Sequence, residues 1–204
     1  MATLKVENLT SGDLVKDISF DVRKGEILGI GGLVGSRRTE MLEALFGLRP
    51  ITEGKIYLNN EEIHPKNPRE AIKHRIAFVT EDRKKTGLVA CLPVFENINM
   101  LNAQRPSFAG YLNWQQLKEI AQRHRKTLNI RVSKIEQIMA SLSGGNQQKV
   151  ALAKWLDFSP QVIIFDEPTR GIDIGAKTEI YLIMGELAAH GAAILMVSSE
   201  LPEL

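Results

Sequence analysis

The most restrictive feature of the chain is a pair of short, wholly apolar runs, Val162-Ile-Ile-Phe165 and Ala193-Ile-Leu-Met-Val197, on either side of a helix-length segment from about Ala176 to Ala189. A strand with one wet face alternates polar and apolar residues. A strand without polar positions needs cover on both faces, which helices packed on a parallel sheet supply. The alternation extends upstream: Glu26-Ile-Leu-Gly-Ile30 leads through the glycine-rich Gly31 to Gly35 into Thr39 to Phe46, where Met41, Leu42, Leu45 and Phe46 fall at helical spacing. Lys55 to Leu58 and Ile76 to Val79 read as further strands, with Arg69 to His74 a short helix between them. The fold class is therefore α/β with a parallel core sheet. Leu4 to Glu7 and Ile18 to Val22 alternate in polarity and predict an antiparallel β edge. From Val94 to Ala140 helical patterns such as Trp114 to His124 take over, which predicts a helical subdomain, placed at residues 91–144 of a single domain spanning 1–204. The last apolar run ends at Val197, so that edge of the sheet is expected to be bare and the domain cut short at its C-terminus.

Composition excludes several function classes. Lysine plus arginine number 26 against 24 aspartate plus glutamate, a net charge of +2, so bulk charge gives no argument for nucleic acid or anionic lipid and any anion site must be local. No apolar run approaches the roughly 18 residues of a membrane span. The single cysteine, Cys91, has no partner for a disulfide and reads as a small apolar side chain. Trp114 and Trp155 are expected to pack, His64, His74, His124 and His190 have no metal-ligand spacing, and the charged run Glu81 to Lys85 reads as a solvated loop.

Three stretches carry chemistry. Gly32-Leu-Val-Gly35-Ser36-Arg37-Arg38-Thr39 lies between a strand and a helix, where backbone N–H groups converge on an anion at the helix start. A phosphate-cradling loop of this kind wants glycine then lysine where this chain has Arg37 and Arg38; only Thr39, the hydroxyl expected at Mg²⁺, fits. Arginine is planar and bulky, and a side chain at Arg37 forfeits glycine's freedom, so a solvated arginine pair on a glycine-rich turn is the rival explanation. In the second stretch, Asp166 and Glu167 end an apolar strand, where one acid can hold Mg²⁺ and the other orient an attacking water; the plain alternative is two acids that merely close a strand. The third, Leu142-Ser143-Gly144-Gly145-Asn146-Gln147-Gln148, opens a helix with Ser143 near its cap and offers a second anion-binding terminus.

In that order, the three stretches resemble an ATP-binding cassette of an ABC transporter, whose signature is the Leu-Ser-Gly-Gly run. More narrowly, Val79 to Lys84, Ser141 to Lys149, Glu167 to Asp173 and Ser198 to Leu204 resemble the second cassette of bacterial tandem sugar-importer ATPases of the ribose, galactose and methyl galactoside type, with galactose nearest. The resemblance implies a P-loop NTPase fold and ATP hydrolysis with Mg²⁺ as cofactor. It implies four partners or settings: the N-terminal cassette of the same polypeptide, membrane permease subunits, indirectly a periplasmic or extracellular sugar-binding protein, and a peripheral place on the cytoplasmic face of the bacterial inner membrane. Nucleic acid is not among the partners.

The site residues it implies are Glu167 and Glu81 in catalysis, Thr39 and Asp166 at the metal, and Gly32, Gly35, Ser36, Arg37, Arg38, Thr39, Ser143, Gly144, Gly145, Asp173 and Ser199 at the nucleotide. In such machines two cassettes face head to tail, each nucleotide lying between one phosphate loop and the other signature. The segment from Glu81 to about Asn102 would meet the permease, with Phe95, Ile98 and Met100 as anchors. Departures matter to mechanism: Glu81 stands where a glutamine is usual, Ser199 where a histidine is usual, and no aromatic lies between Leu4 and Lys16 to stack on adenine. A degenerate phosphate loop beside an intact signature is thus expected, against three alternatives: a catalytically competent cassette whose arginines replace lysine, a non-hydrolytic regulatory cassette, and a soluble ATPase of the same family uncoupled from transport.

Overall fold

The computed structural model describes residues 2–33, 35–101, 107–108 and 111–203. The chain divides into two units, one formed by residues 1–78, 160–168 and 184–204, the other by 79–159 and 169–183. In chain order the first unit holds β1 (Ala2–Ser11), β2 (Val15–Arg23), β3 (Ile27–Gly31), α1 (Arg38–Leu45), β4 (Glu53–Leu58), β5 (Glu61–Ile63), α2 (Pro68–Lys73) and most of β6 (Ile76–Val79). The second holds α3 (Val94–Ile98), β7 (Ser107–Phe108), β8 (Tyr111–Leu112), α4 (Trp114–Thr127) and α5 (Gly144–Leu156). The chain returns to the first unit for β9 (Val162–Asp166); α6 (Ile174–Ala189) begins in the second and ends in the first, and β10 (Ala193–Ser198) lies in the first.

The first unit has two sheets. The antiparallel one runs β2-β1-β4-β5, and its alternation buries Leu4, Val6 and Leu9 with Val15, Val22, Ile56 and Leu58. The segment Lys55 to Leu58 belongs to this sheet, with Val6 opposite Ile56. The other sheet runs β3-β10-β9-β6, with β10 parallel to both β3 and β9. Every residue of β9 and β10 is buried, as runs without polar positions require. The bare edge expected at the last apolar run is therefore not there: β10 is an inner strand, hydrogen-bonded on both sides. Chain order did not reveal this because the strand inserts between two earlier ones.

In the second unit α5 is the centre. Ser143 caps it, accepting from the Asn146 N–H, and Val150, Leu152, Ala153 and Trp155 are buried along it. Phe95 and Ile98 on α3 are also buried, so they belong to the core and do not serve as anchors for an outside partner; of the three anchors expected, Met100 alone is exposed. Cys91 is exposed and not a core side chain. Trp155 packs as expected, whereas Trp114 is half exposed and touches Phe95 only edge-on. The two-residue strands β7 and β8 pair antiparallel inside the stretch read as helical.

Candidate functional site

Within the first unit, register alone builds a site. Ser198 of β10 pairs with Gly31 of β3, and Val197 pairs with Asp166 of β9, so three adjacent parallel strands end in a row. Ligands of open α/β sheets collect outside such carboxyl ends. Thr39, in the first turn of α1, hydrogen-bonds the Asp166 carboxyl. Asp166 is 1% exposed, and burial pushes its carboxyl up to about 6, against that hydrogen bond, which acts in the opposite sense. Its Oδ1 is buried without a partner. An orphaned carboxylate oxygen beside a hydroxyl suits a small hard cation such as Mg²⁺, which takes one or two protein oxygens and fills its shell from phosphate and water. Among the described residues no cluster of three or more histidine, cysteine or acidic side chains offers a complete metal cage, so a cation here needs those outside ligands.

The phosphate loop departs from its pattern in a physically legible way. Gly35 has φ +87, and a Cβ added at Gly32 would lie 2.8 Å from Ser36 Oγ, so a side chain there would push that hydroxyl aside. Ser36 N–H donates to Leu33 O, closing the turn. Val34 lies outside the described residues. Arg37, at the cap of α1, has φ 65, the left-handed region that glycine enters freely and arginine does not. Its side chain turns outward to Glu40, at 2.8 Å. Arg38 goes the other way: Nη1 donates to Ser198 O at 2.5 Å, Nη2 to Leu33 O at 3.3 Å, and Nη2 stands 3.5 Å from Glu167 Oε1. Ser199 Oγ donates to the other Glu167 oxygen at 3.1 Å. Thr39, Arg38, Asp166, Glu167 and Ser199 are thus brought together.

Within the second unit, Ser143, Gly145 and Asp173 line one cleft of about 150 Å³. Gly145 has to be glycine, since a Cβ would lie 2.4 Å from that of Ala176. Asp173 accepts from Ala176 N–H and so caps α6. Glu81 lies apart from this cleft, paired with Arg170. Sequence reasoning missed Arg83. Read as part of a solvated run, it is in fact buried, and its guanidinium donates to the carbonyls of Arg170 and Gly171 beside Gly144. The clue available was its place two residues after Glu81. Lys149 is also buried, its charge met by Glu179 and the Asn129 carbonyl.

Strand, glycine loop and helix, with a buried acid at the end of a nearby parallel strand, define a P-loop nucleotide-binding domain. The model of the ABC transporter family matches residues 15–170, and the chain belongs to that family. It is 47% identical over 201 residues to the ribose import ATP-binding protein RbsA of Geobacillus kaustophilus, covering 98% of this chain and 41% of the relative. It is likewise 47% identical to a putative ribose/galactose/methyl galactoside import ATP-binding protein of Halalkalibacterium halodurans, covering 98% of this chain and 38% of that protein. The chain thus spans about two-fifths of the length of these relatives. In fold it is similar to a nucleotide-free ATP-binding cassette from an ABC transporter, at TM-score 0.84 and 23% identity, covering 99% of this chain and 83% of that one. A dimeric bacterial ABC transporter cassette matches at TM-score 0.81 and 24% identity, covering 98% and 89%. No helix among the described residues is long and apolar enough to cross a membrane.

Proposed function

We propose that this chain is one ATP-binding cassette of a tandem-cassette ABC importer for sugars of the ribose and galactose type, working as the signature-donating half of an asymmetric pair. The names of the relatives support the importer and the sugar class. Its partners are then the N-terminal cassette of the same polypeptide and a membrane permease, with a sugar-binding protein on the far side, and its place is the cytoplasmic face of the bacterial membrane. The segment from Glu81 to about Asn102, in which Met100 is exposed and Asn102 lies outside the described residues, is proposed to meet the permease.

The observation that carries the asymmetric reading is the fate of Arg38. A phosphate loop needs a free cation at this position, yet the guanidinium is held by Ser198 O, Leu33 O and Glu167. Glu167, which would orient the attacking water, is occupied by the same ion pair and by Ser199. Ser199 brings a hydroxyl where a charged imidazole would meet the γ-phosphate. Glu81 adds a carboxylate, itself engaged by Arg170. By contrast Ser143, Gly144 and Gly145 start a helix whose N–H groups and dipole favour an anion. Bound Mg²⁺ would supply charge neutralisation on the phosphates, with Thr39 and Asp166 as its protein oxygens.

The test is ATP turnover and sugar uptake by the assembled importer with single changes in this chain. Ser143→Ala is expected to cost about 10²-fold or more, as loss of one preorganised donor does. Arg38→Ala should cost far less, with Glu167→Gln between. Equal damage from Arg38→Ala and Ser143→Ala would make this chain a fully catalytic half and overturn the asymmetry.

A further inference from the structure

The Ser143 hydroxyl is held in an unusual way for a helix cap. A serine hydroxyl has one proton to give and two lone pairs with which to accept. Ser143 Oγ accepts from the Asn146 backbone N–H at 3.5 Å and from Asn146 Nδ2 at 2.9 Å, so both lone pairs are taken by a single residue. The Asn146 amide cannot turn over, because its Oδ1 accepts from the Arg131 backbone N–H at 2.7 Å and that group can only donate. Arg131 is in turn tied down through Nη2 to Glu179 Oε1 at 2.9 Å. Arg131, Ser143, Asn146, Asp173 and Glu179 line the same cleft of about 150 Å³.

We infer that Asn146 is a positioning residue that commits the Ser143 hydroxyl to donation, leaving its proton for a phosphate oxygen entering the cleft. The inference rests on the proposed function, in which that oxygen belongs to the nucleotide on the facing cassette. With both lone pairs filled by N–H donors, the hydroxyl does not have to reorganise when charge develops on the phosphate. That preorganisation is what makes such donors effective in a transition state. The effect of Asn146 passes through Ser143.

The experiment is a double-mutant cycle on ATP turnover by the assembled importer, using Ser143→Ala, Asn146→Ala, Asn146→Asp and Ser143→Ala/Asn146→Ala. Asn146→Asp keeps an oxygen for the Arg131 N–H but faces Ser143 with an acceptor, which draws the hydroxyl proton away from the phosphate. It should lower kcat about 10-fold or more with little change in the KM for ATP. Its melting temperature, expected within a few degrees of wild type, separates this loss from misfolding. Asn146→Ala should also slow turnover, and adding it to Ser143→Ala should cost nothing more. If Asn146→Ala slows the Ser143→Ala importer by the factor seen in wild type, or if Asn146→Asp leaves kcat unchanged while Ser143→Ala is damaging, the positioning role is wrong and the proposed function stands. If Ser143→Ala itself leaves turnover intact, both fall.

Discussion

Arg38 and Glu167 form a nearly buried ion pair, Nη2 to Oε1 at 3.5 Å with the two side chains 10% and 11% exposed, between the first turn of α1 and the residue that follows β9. The same guanidinium bonds the carbonyl that ends β10, so one side chain stitches the ends of the parallel strands together. Arg38→Ala leaves a poorly hydrated carboxylate with, among the described residues, only the Ser199 hydroxyl for company. The expected loss is about 1–3 kcal/mol in urea unfolding, because an acceptor left unmatched costs more than the bond is worth net. The pair Arg38→Met with Glu167→Gln should recover part of it, since neither charge then remains. Equal losses for the single and double variants would show that the ion pair does not matter to stability.

Gly145 sits where helix α5 meets the start of α6, and an added Cβ would lie 2.4 Å from Ala176 Cβ. Neither atom can swing away, since both are fixed by helix backbone. Gly145→Ala is therefore expected to destabilise by about 1–3 kcal/mol, the usual cost of overpacking. Ala176→Gly in the same chain removes the clash and should restore most of the loss, less the helix penalty of the new glycine. A neutral Gly145→Ala would mean that the two helix starts can part without cost. Gly144→Asp is a poorer probe of chemistry, because its Cβ would meet Arg83 Nη2 and the Gly171 carbonyl.

These two sites mark the line between what the sequence reveals and what it hides. Local patterns were legible: wholly apolar runs became β9 and β10, Ser143 became a cap, and Thr39 met Asp166. Placement across the sheet was not, because period and composition carry no strand order; hence β10 was expected at an edge and is inside. Charge was read as exposure, which failed at Arg83, buried with carbonyl partners supplied from a distant segment. Apolar character was read as availability at Phe95 and Ile98, which the core takes. Arg38 fell between: its mismatch with lysine was visible, its bond to Glu167 was not.

Lys154 gives a pH test. Its ammonium is buried, donating to Gly87 O at 2.7 Å, and burial lowers its pKa to about 8 from 10.5. Between those two values the unfolded chain holds a proton that the folded chain has released. Stability from this group therefore rises with pH through that window, by roughly 2 kcal/mol between pH 7.5 and 9.5. Lys154→Met removes the ionisation while keeping the bulk. In urea unfolding, the wild-type chain should gain on the variant as pH rises, with the variant the more stable at pH 7. Parallel pH profiles for the two proteins would refute the lowered pKa.

Arg37 and Arg38 together invite a restoration experiment. Arg37 holds φ 65, and glycine there relieves backbone strain of about 1 kcal/mol or more. The bond lost, Arg37 to Glu40, is half exposed on the arginine side and worth little. Arg37→Gly should therefore leave the fold as stable or slightly more so. Arg38→Lys replaces a fork spread over two carbonyls and a carboxylate with a compact point charge on a flexible stem, which can follow a phosphate but cannot make all three contacts. If the bound state of Arg38 is what weakens the loop, the double variant should bind Mg-ATP where the natural chain does so poorly. A ligand present at its dissociation constant stabilises a fold by about 0.4 kcal/mol, and one at 100 times that constant by about 2.7. At millimolar Mg-ATP the natural chain is thus expected to show little melting shift and the double variant a shift of several degrees. A large shift already present in the natural chain would mean that Arg38 exchanges Glu167 for phosphate without cost, and the loop would have to be counted as working.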